Sequence, residues 1–176
     1  MNYTNEELLL IEEIMQEKKD LDLNAIDELI HKTKTMVCHR FLFRGVCNTE
    51  HRKLEKMLVG DVFEMERPTS FTPDISIAYN FAAYSYHTNI IIKIKPTRPC
   101  MNYYEHAVDY VANLPEDKVF HNLDGDKCLK FDILRLLADE RECIYNSGCK
   151  MVLEDIEEMP DAFYGEDIKV YYFSLI

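Results

Sequence analysis

Two hydrophobic periodicities divide this chain, and their order limits how it can fold. Near the N-terminus the apolar residues recur at helical spacing, whereas towards the C-terminus they alternate with polar ones. Thr4-Asn5-Glu6-Glu7 has the form of a capping box, and apolar residues follow at 8, 11, 14 and 15. A second helix is expected from near Asn24, with Ile26, Leu29 and Ile30 turned inward. The segment from Met36 to Phe43 reads as a strand with Arg44-Gly45 at its tip, and Thr49 as the cap of a short helix stopped by Gly60. A short strand over 61–65 and a helix over 75–83 come next. The clearest strand is Thr88 to Lys95, where Ile90, Ile92 and Ile94 alternate with Lys93 and Lys95. Residues 103–113 and 129–137 read as helices and 115–126 as an acidic loop. The stretches 141–145, 150–156 and 168–176 read as strands. Helices first and strands with short turns last predict an α+β domain over 1–176, with a helical segment at 1–35 and packed mixed or antiparallel sheets.

Charge and cysteine usage narrow the function. The 176 residues carry a formal net charge of −12, which argues against a nucleic-acid or anionic-membrane surface, since both require a basic face. There is no signal-like n-region and no long apolar run, so the chain reads as a soluble cytoplasmic protein. The six cysteines form no Cys-x-x-Cys pair and read as reduced thiols. Cys143 and Cys149 flank an Asn-Ser-Gly turn and are expected at adjacent strand positions. The histidines lack ligand spacing, and no metal is assigned. No glycine-rich phosphate loop occurs, so any bound nucleotide must meet side chains.

Chemistry concentrates in Ala138 to Met151, where Glu140 and Glu142 stand two residues apart ahead of Cys143-Ile144-Tyr145. On a strand that spacing puts both carboxylates on one face. There they repel each other, a cost more easily explained by cleft chemistry than by stability. Glu64-Met65-Glu66 has the same spacing, so the tripeptide gains meaning only from what precedes it. Arg44 ends an apolar strand, and Ser70-Phe71-Thr72 lies in a polar turn ahead of a helix carrying Ala78, Phe81 and Ala82.

In that order, Phe43-Arg44-Gly45-Val46, Ser70-Phe71-Thr72 and Glu140-Arg141-Glu142 resemble the mono-ADP-ribosyltransferases of the arginine–serine–glutamate class, and among them the phage Alt and Mod transferases. Lys150-Met151-Val152 and Lys169-Val170-Tyr171-Tyr172 are similar to the strands that follow. The resemblance covers residues 38–176 and implies two sheets packed around a cleft for NAD. The middle motif departs from the family: its Ser-Thr-Ser falls either on Ser70-Phe71-Thr72 or on Thr72-Pro73-Asp74, and Ser70 and Thr72 both remain candidates to hold the catalytic glutamate.

The resemblance implies NAD as substrate, with Arg44, Gly45, Ser70, Phe71 and Thr72 on the NAD side and Glu142 and Glu140 catalytic. Cleavage of the nicotinamide–ribose bond passes through an oxocarbenium-like state, which a carboxylate stabilises most where the charge is greatest. Glu142 is expected to supply it, and Glu140 to orient and deprotonate an acceptor arginine. Arg44 is expected to grip the pyrophosphate, and Phe71 to flank the nicotinamide. Tyr79 and Phe81 read as core packing, with the nicotinamide wall as the other option. Tyr103-Tyr104 fall where the family has a mobile loop. The expected activity is transfer of ADP-ribose to arginine of a target protein with release of nicotinamide, in the cytoplasm of a host cell. The acidic surface suits a basic partner such as a nucleic-acid-binding or translation protein. The alternatives are an NAD glycohydrolase and a catalytically inactive acidic interaction protein.

Overall fold

The computed structural model describes residues 3–16, 20–121, 127–160 and 167–176. Along the chain the elements are α1 (Asn5–Met15), α2 (Leu23–Thr33), β1 (Leu42–Gly45), α3 (Asn48–Leu54), β2 (Val62–Glu64) and β3 (Thr69–Phe71). Then come α4 (Ile75–Asn80), a π-helical turn (Phe81–Tyr86), β4 (Ile90–Lys95) and α5 (Tyr103–Ala112). The remainder is β5 (Val119–His121), β6 (Lys127–Leu129), α6 (Lys130–Glu140), β7 (Cys143–Tyr145), β8 (Lys150–Met159) and β9 (Ile168–Leu175). No described helix is long and apolar enough to cross a membrane.

Local chemistry accounts for the helix starts. The Thr4 hydroxyl accepts from the Glu7 N–H at 3.2 Å while the Glu7 carboxylate accepts from the Thr4 N–H at 2.8 Å, the reciprocal pattern of a capping box. The Asp22 carboxylate caps α2 by accepting from the N–H groups of Asn24 and Ala25.

The main sheet has the order β1-β4-β9-β8-β2. Only the β4–β9 pair is parallel, with Ile92 opposite Tyr171; the other pairings are antiparallel, so the sheet is mixed as expected. Ile90, Ile92 and Ile94 face the core between the sheets. Ile91 is also buried, because it lies opposite Gly45 on the face that α4 covers. A Cβ on Gly45 would stand 2.2 Å from the Ala78 carbonyl oxygen and 2.6 Å from the Ala82 nitrogen, so only glycine lets the helix lie this close.

The strand β3 pairs with β7 in a second, two-stranded sheet. The alternation of β7 divides the interior. Cys143 and Tyr145 join the core between the sheets, while Ile144 joins a second core built from α1, α2, α5, α6 and Phe120. A strand packed on both faces has no exposed side, which is why Cys143-Ile144-Tyr145 is apolar throughout.

Several expectations need correction. Residues 36–41 are not a strand: Thr35 is tied to Cys100 by paired main-chain bonds, Met36 is exposed, and β1 begins only at Leu42. The stretch 115–126 is not all loop, because burying Phe120 against the helices makes 119–121 a strand paired with β6; residues 122–126 lie outside the described ones. Tyr103 and Tyr104 open α5, in keeping with the helix expected over 103–113, and so do not form the loop that the resemblance suggested. Tyr103 is buried, and its hydroxyl donates to the Ile11 carbonyl at 3.2 Å. The helix expected over 129–137 continues to Glu140, so Glu140 and Glu142 do not share a strand.

Candidate active site

The expected residues converge on one seam. Phe43 and Thr72 exchange main-chain hydrogen bonds of 2.7 and 2.8 Å, joining the end of β1 to the end of β3. On the other side of β3, Ser70 lies opposite Ile144 and Phe71 opposite Cys143. Strand alternation gives Ser70 and Ile144 one face, and Phe71 and Cys143 the other. Thr72 directly follows β3 and Glu142 directly precedes β7, so both stand at the end of the ladder beside the Phe71–Cys143 pair.

Arg44 enters the seam from β1. Its Nη1 donates to the Ser70 carbonyl at 3.2 Å, and its Nη2 donates to the Glu50 carboxylate at 3.1 and 3.3 Å. The side chain is only 11% exposed, and its Nε is buried with no hydrogen-bond partner among the described residues. An unsatisfied buried N–H costs about 1–3 kcal/mol, so a donor left in this state points to an acceptor that arrives with a ligand. A phosphate oxygen is such an acceptor, and a guanidinium is the side chain best shaped to receive it. Beside Glu50 lies a cavity of about 320 Å³, bounded also by Cys47, Lys53, Met65, Arg67 and Thr69.

The paired glutamates are arranged differently from the expectation. Glu140 is the last residue of α6 and Glu142 immediately precedes β7, so the two do not share a strand face. Between them Arg141 adopts φ +45°, and its N–H closes the helix on the Leu137 carbonyl at 2.9 Å. A left-handed non-glycine residue costs about 1 kcal/mol and is concentrated at functional turns. Here it swings the chain through a corner, leaving one carboxylate at a helix end and the other at a strand start. The Glu142 carbonyl accepts from the Tyr104 N–H in the first turn of α5 at 3.2 Å, which fixes the main chain under that glutamate.

Two of the expected NAD-side residues have other work. Phe71 is 1% exposed and meets Tyr145 edge to face at 5.8 Å, so it is a core residue under the seam and not a wall for the nicotinamide. The bareness of Gly45 is accounted for by its contact with α4. Neither Tyr79 nor Phe81 is fully buried; Tyr79 pairs with Tyr84 at 6.4 Å and Phe81 with Tyr86 at 6.3 Å. Pro73 and Asp74 leave the strand, and the Asp74 carboxylate caps α4 through the Ser76 N–H at 2.8 Å. The departure from the family motif thus falls in the helix cap, outside the paired strand. The Cys143 thiol beside Glu142 is held protonated, its pKa pushed up by its hydrogen bond with Cys100 and by burial.

Sequence reasoning did not single out Glu50. Its signal was weak: Cys47 and Glu50 have capping-box spacing, but cysteine is not a usual cap. Asp27 was missed because its partner is far along the chain. Its carboxylate accepts from the Ser147 N–H at 2.8 Å and from the Ser147 hydroxyl, tying α2 to the turn between β7 and β8.

Comparison with known proteins shows the family and the fold. The sequence profile described as Bacteriophage T4 Mod ADP-ribosyltransferase matches residues 1–168. The NAD–protein ADP-ribosyltransferase ModB of Enterobacteria phage T4 is 26% identical over 179 residues, spanning 99% of this chain and 84% of that protein. In fold, the chain is similar to the ADP-ribosyltransferase toxin Plx2a of Paenibacillus larvae, with TM-score 0.56, 13% identity, and 98% of this chain and 87% of that one covered. C3larvin, an ADP-ribosyltransferase from the same bacterium, gives TM-score 0.56 at 9% identity, with 99% and 96% covered. The chain belongs to the bacteriophage T4 Mod ADP-ribosyltransferase family, and it is an NAD-dependent ADP-ribosyltransferase.

Proposed function

We propose that the protein transfers ADP-ribose from NAD to an arginine side chain of a target protein and releases nicotinamide. The observation that carries this reading is that β3 joins both β1, which carries Arg44, and β7, which Glu142 directly precedes, while the Arg44 guanidinium bonds the Ser70 carbonyl and keeps a buried Nε with no partner among the described residues.

In this reading the pyrophosphate of NAD bonds Arg44 through the unpartnered Nε, while Glu50 keeps hold of Nη2. The nicotinamide ribose lies towards Glu142, and the other half of the dinucleotide extends along the cavity beside Glu50. As the bond from ribose C1′ to the nicotinamide nitrogen breaks, its electron pair leaves with nicotinamide and positive charge grows on the ribose. The Glu142 carboxylate stabilises that charge, steadied by the hydroxyl of Thr72 or Ser70. A guanidino nitrogen of the acceptor then bonds to C1′. Glu140, at the end of α6, binds the remaining guanidinium and takes a proton once the new bond has acidified it, since free arginine holds its proton to a pKa above about 12. The targets are basic proteins of a host cytoplasm, such as nucleic-acid-binding or translation proteins, drawn by a net charge of −12.

The test is mass-spectrometric mapping of ADP-ribose on proteins of a bacterial lysate treated with the enzyme and NAD. Modification on arginine is the expected result. Modification on another residue type would overturn the acceptor assignment, and NAD consumption with no modified protein would identify a glycohydrolase.

A further inference from the structure

Glu50 holds Arg44 in an uncommon way. A carboxylate facing a guanidinium frequently takes two of its nitrogens at once, one oxygen to each. Here both Glu50 oxygens meet the same nitrogen, Nη2, at 3.1 and 3.3 Å, while the buried Nε has no partner among the described residues. A pair arranged only to bond as fully as it could would use Nε too. The remaining nitrogen, Nη1, donates to the Ser70 carbonyl at 3.2 Å. A guanidinium is planar, so holding Nη1 and Nη2 fixes the direction in which the Nε N–H points.

The carboxylate is itself held. The Cys47 N–H and the Cys47 thiol each donate to its Oε2 at 3.4 Å, and the Glu50 side chain is only 15% exposed. Its helix, α3, is seated by Leu54, fully buried in the core between the sheets, and by the contact of the His51 ring with Asn89 at 3.2 Å. A negative charge here repels a pyrophosphate, so this carboxylate can serve that ligand only through the arginine.

Resting on the reading that Arg44 receives the pyrophosphate of NAD, we propose that Glu50 is the positioning residue of that arginine: it holds the guanidinium so that Nε faces the phosphate. Two effects of opposite sign then come apart. Removing the Glu50 charge strengthens the attraction of Arg44 for an anion, whereas removing its hold lets the guanidinium turn and lose the aligned N–H. Glutamine keeps the hold without the charge, because an amide oxygen at the place of Oε2 still accepts from Nη2 and from the Cys47 N–H. Alanine removes both.

The test is steady-state NAD cleavage by wild type, Glu50→Ala, Glu50→Gln and Arg44→Lys, each checked for folding by circular dichroism. KM does not depend on how much of the protein is folded, so a role for Glu50 in stability alone would leave it unmoved. Glu50→Ala is expected to raise the KM for NAD about tenfold with kcat within about threefold of wild type. Glu50→Gln should restore a KM at or below the wild-type value. Leu29→Ala, destabilised in the second core, should keep the wild-type KM. An unchanged or lower KM in folded Glu50→Ala, or an equal rise in Glu50→Gln, would overturn the positioning role alone, provided that Arg44→Lys raises KM. A wild-type KM in folded Arg44→Lys would overturn the pyrophosphate assignment and the positioning role with it.

Discussion

The helical layer and the seam between β1, β3 and β7 are held together by different means. In the layer, α1 and α2 have capped starts and bury Ile11, Leu29 and Ile30 almost completely against α5 and β7. The seam has strands of three and four residues, a buried guanidinium with one N–H unmatched among the described residues, and a left-handed arginine between two glutamates. Among the described residues the one unmatched buried side-chain polar atom, Arg44 Nε, lies in the seam, as does one of the two left-handed non-glycine residues, Arg141; the other, His87, closes the π-helical turn. The proposed chemistry lies in the seam too. The layer and the sheets supply the stability that allows the seam to stay strained.

Cutting each region at its core should separate the two roles most sharply. Phe71→Ala removes the ring under the seam and should cost about 4 kcal/mol, comparable to Leu29→Ala in the layer. The pair diverge in activity. Thermal denaturation should report similar losses, whereas NAD cleavage by the remaining folded protein should fall only in Phe71→Ala. Next in size is Gly45→Ala. Its new Cβ would meet main-chain atoms of α4 and the following turn that cannot swing aside, at an expected cost of about 3 kcal/mol in denaturant unfolding.

Smaller effects probe the ties between the regions. Asp27→Ala removes the carboxylate that α2 extends to Ser147 and should lower stability by about 1–2 kcal/mol. Because that turn follows β7, kcat should drop more than the KM for NAD. Arg141→Gly should act in the opposite direction: relief of the left-handed conformation is expected to raise stability by about 1 kcal/mol, visible as a higher Tm. A lower Tm would mean that the Arg141 side chain is worth more to the fold than its backbone costs.

The sequence made the layer legible because helical periodicity and caps are local signals. Ile26, Leu29 and Ile30 are all buried as expected, and the Ile90–Ile92–Ile94 alternation gives β4 its core face. The seam was legible only as an order of motifs. Placing Glu140 and Glu142 on one strand failed because a period of two was applied across a helix end, where Arg141 turns the corner. Phe71 was misassigned because Ser70-Phe71-Thr72 reads as a polar turn in the sequence; 69–71 is a strand, and its pairing with β7 sets Phe71 beside Cys143 in the core. Glu50 and Asp27 act through contacts that depend on tertiary packing, and no local pattern announces them.

The most direct measurement is NAD turnover and labelled ADP-ribose transfer for wild type, Glu142→Gln and Glu140→Gln, all checked for folding by circular dichroism. Loss of a carboxylate that stabilises the developing charge should lower both NAD cleavage and transfer by about 10²–10³-fold in Glu142→Gln. Glu140→Gln should lose transfer while retaining NAD hydrolysis, because its carboxylate serves the acceptor. Retention of near wild-type NAD cleavage by a folded Glu142→Gln protein would contradict the account at its centre.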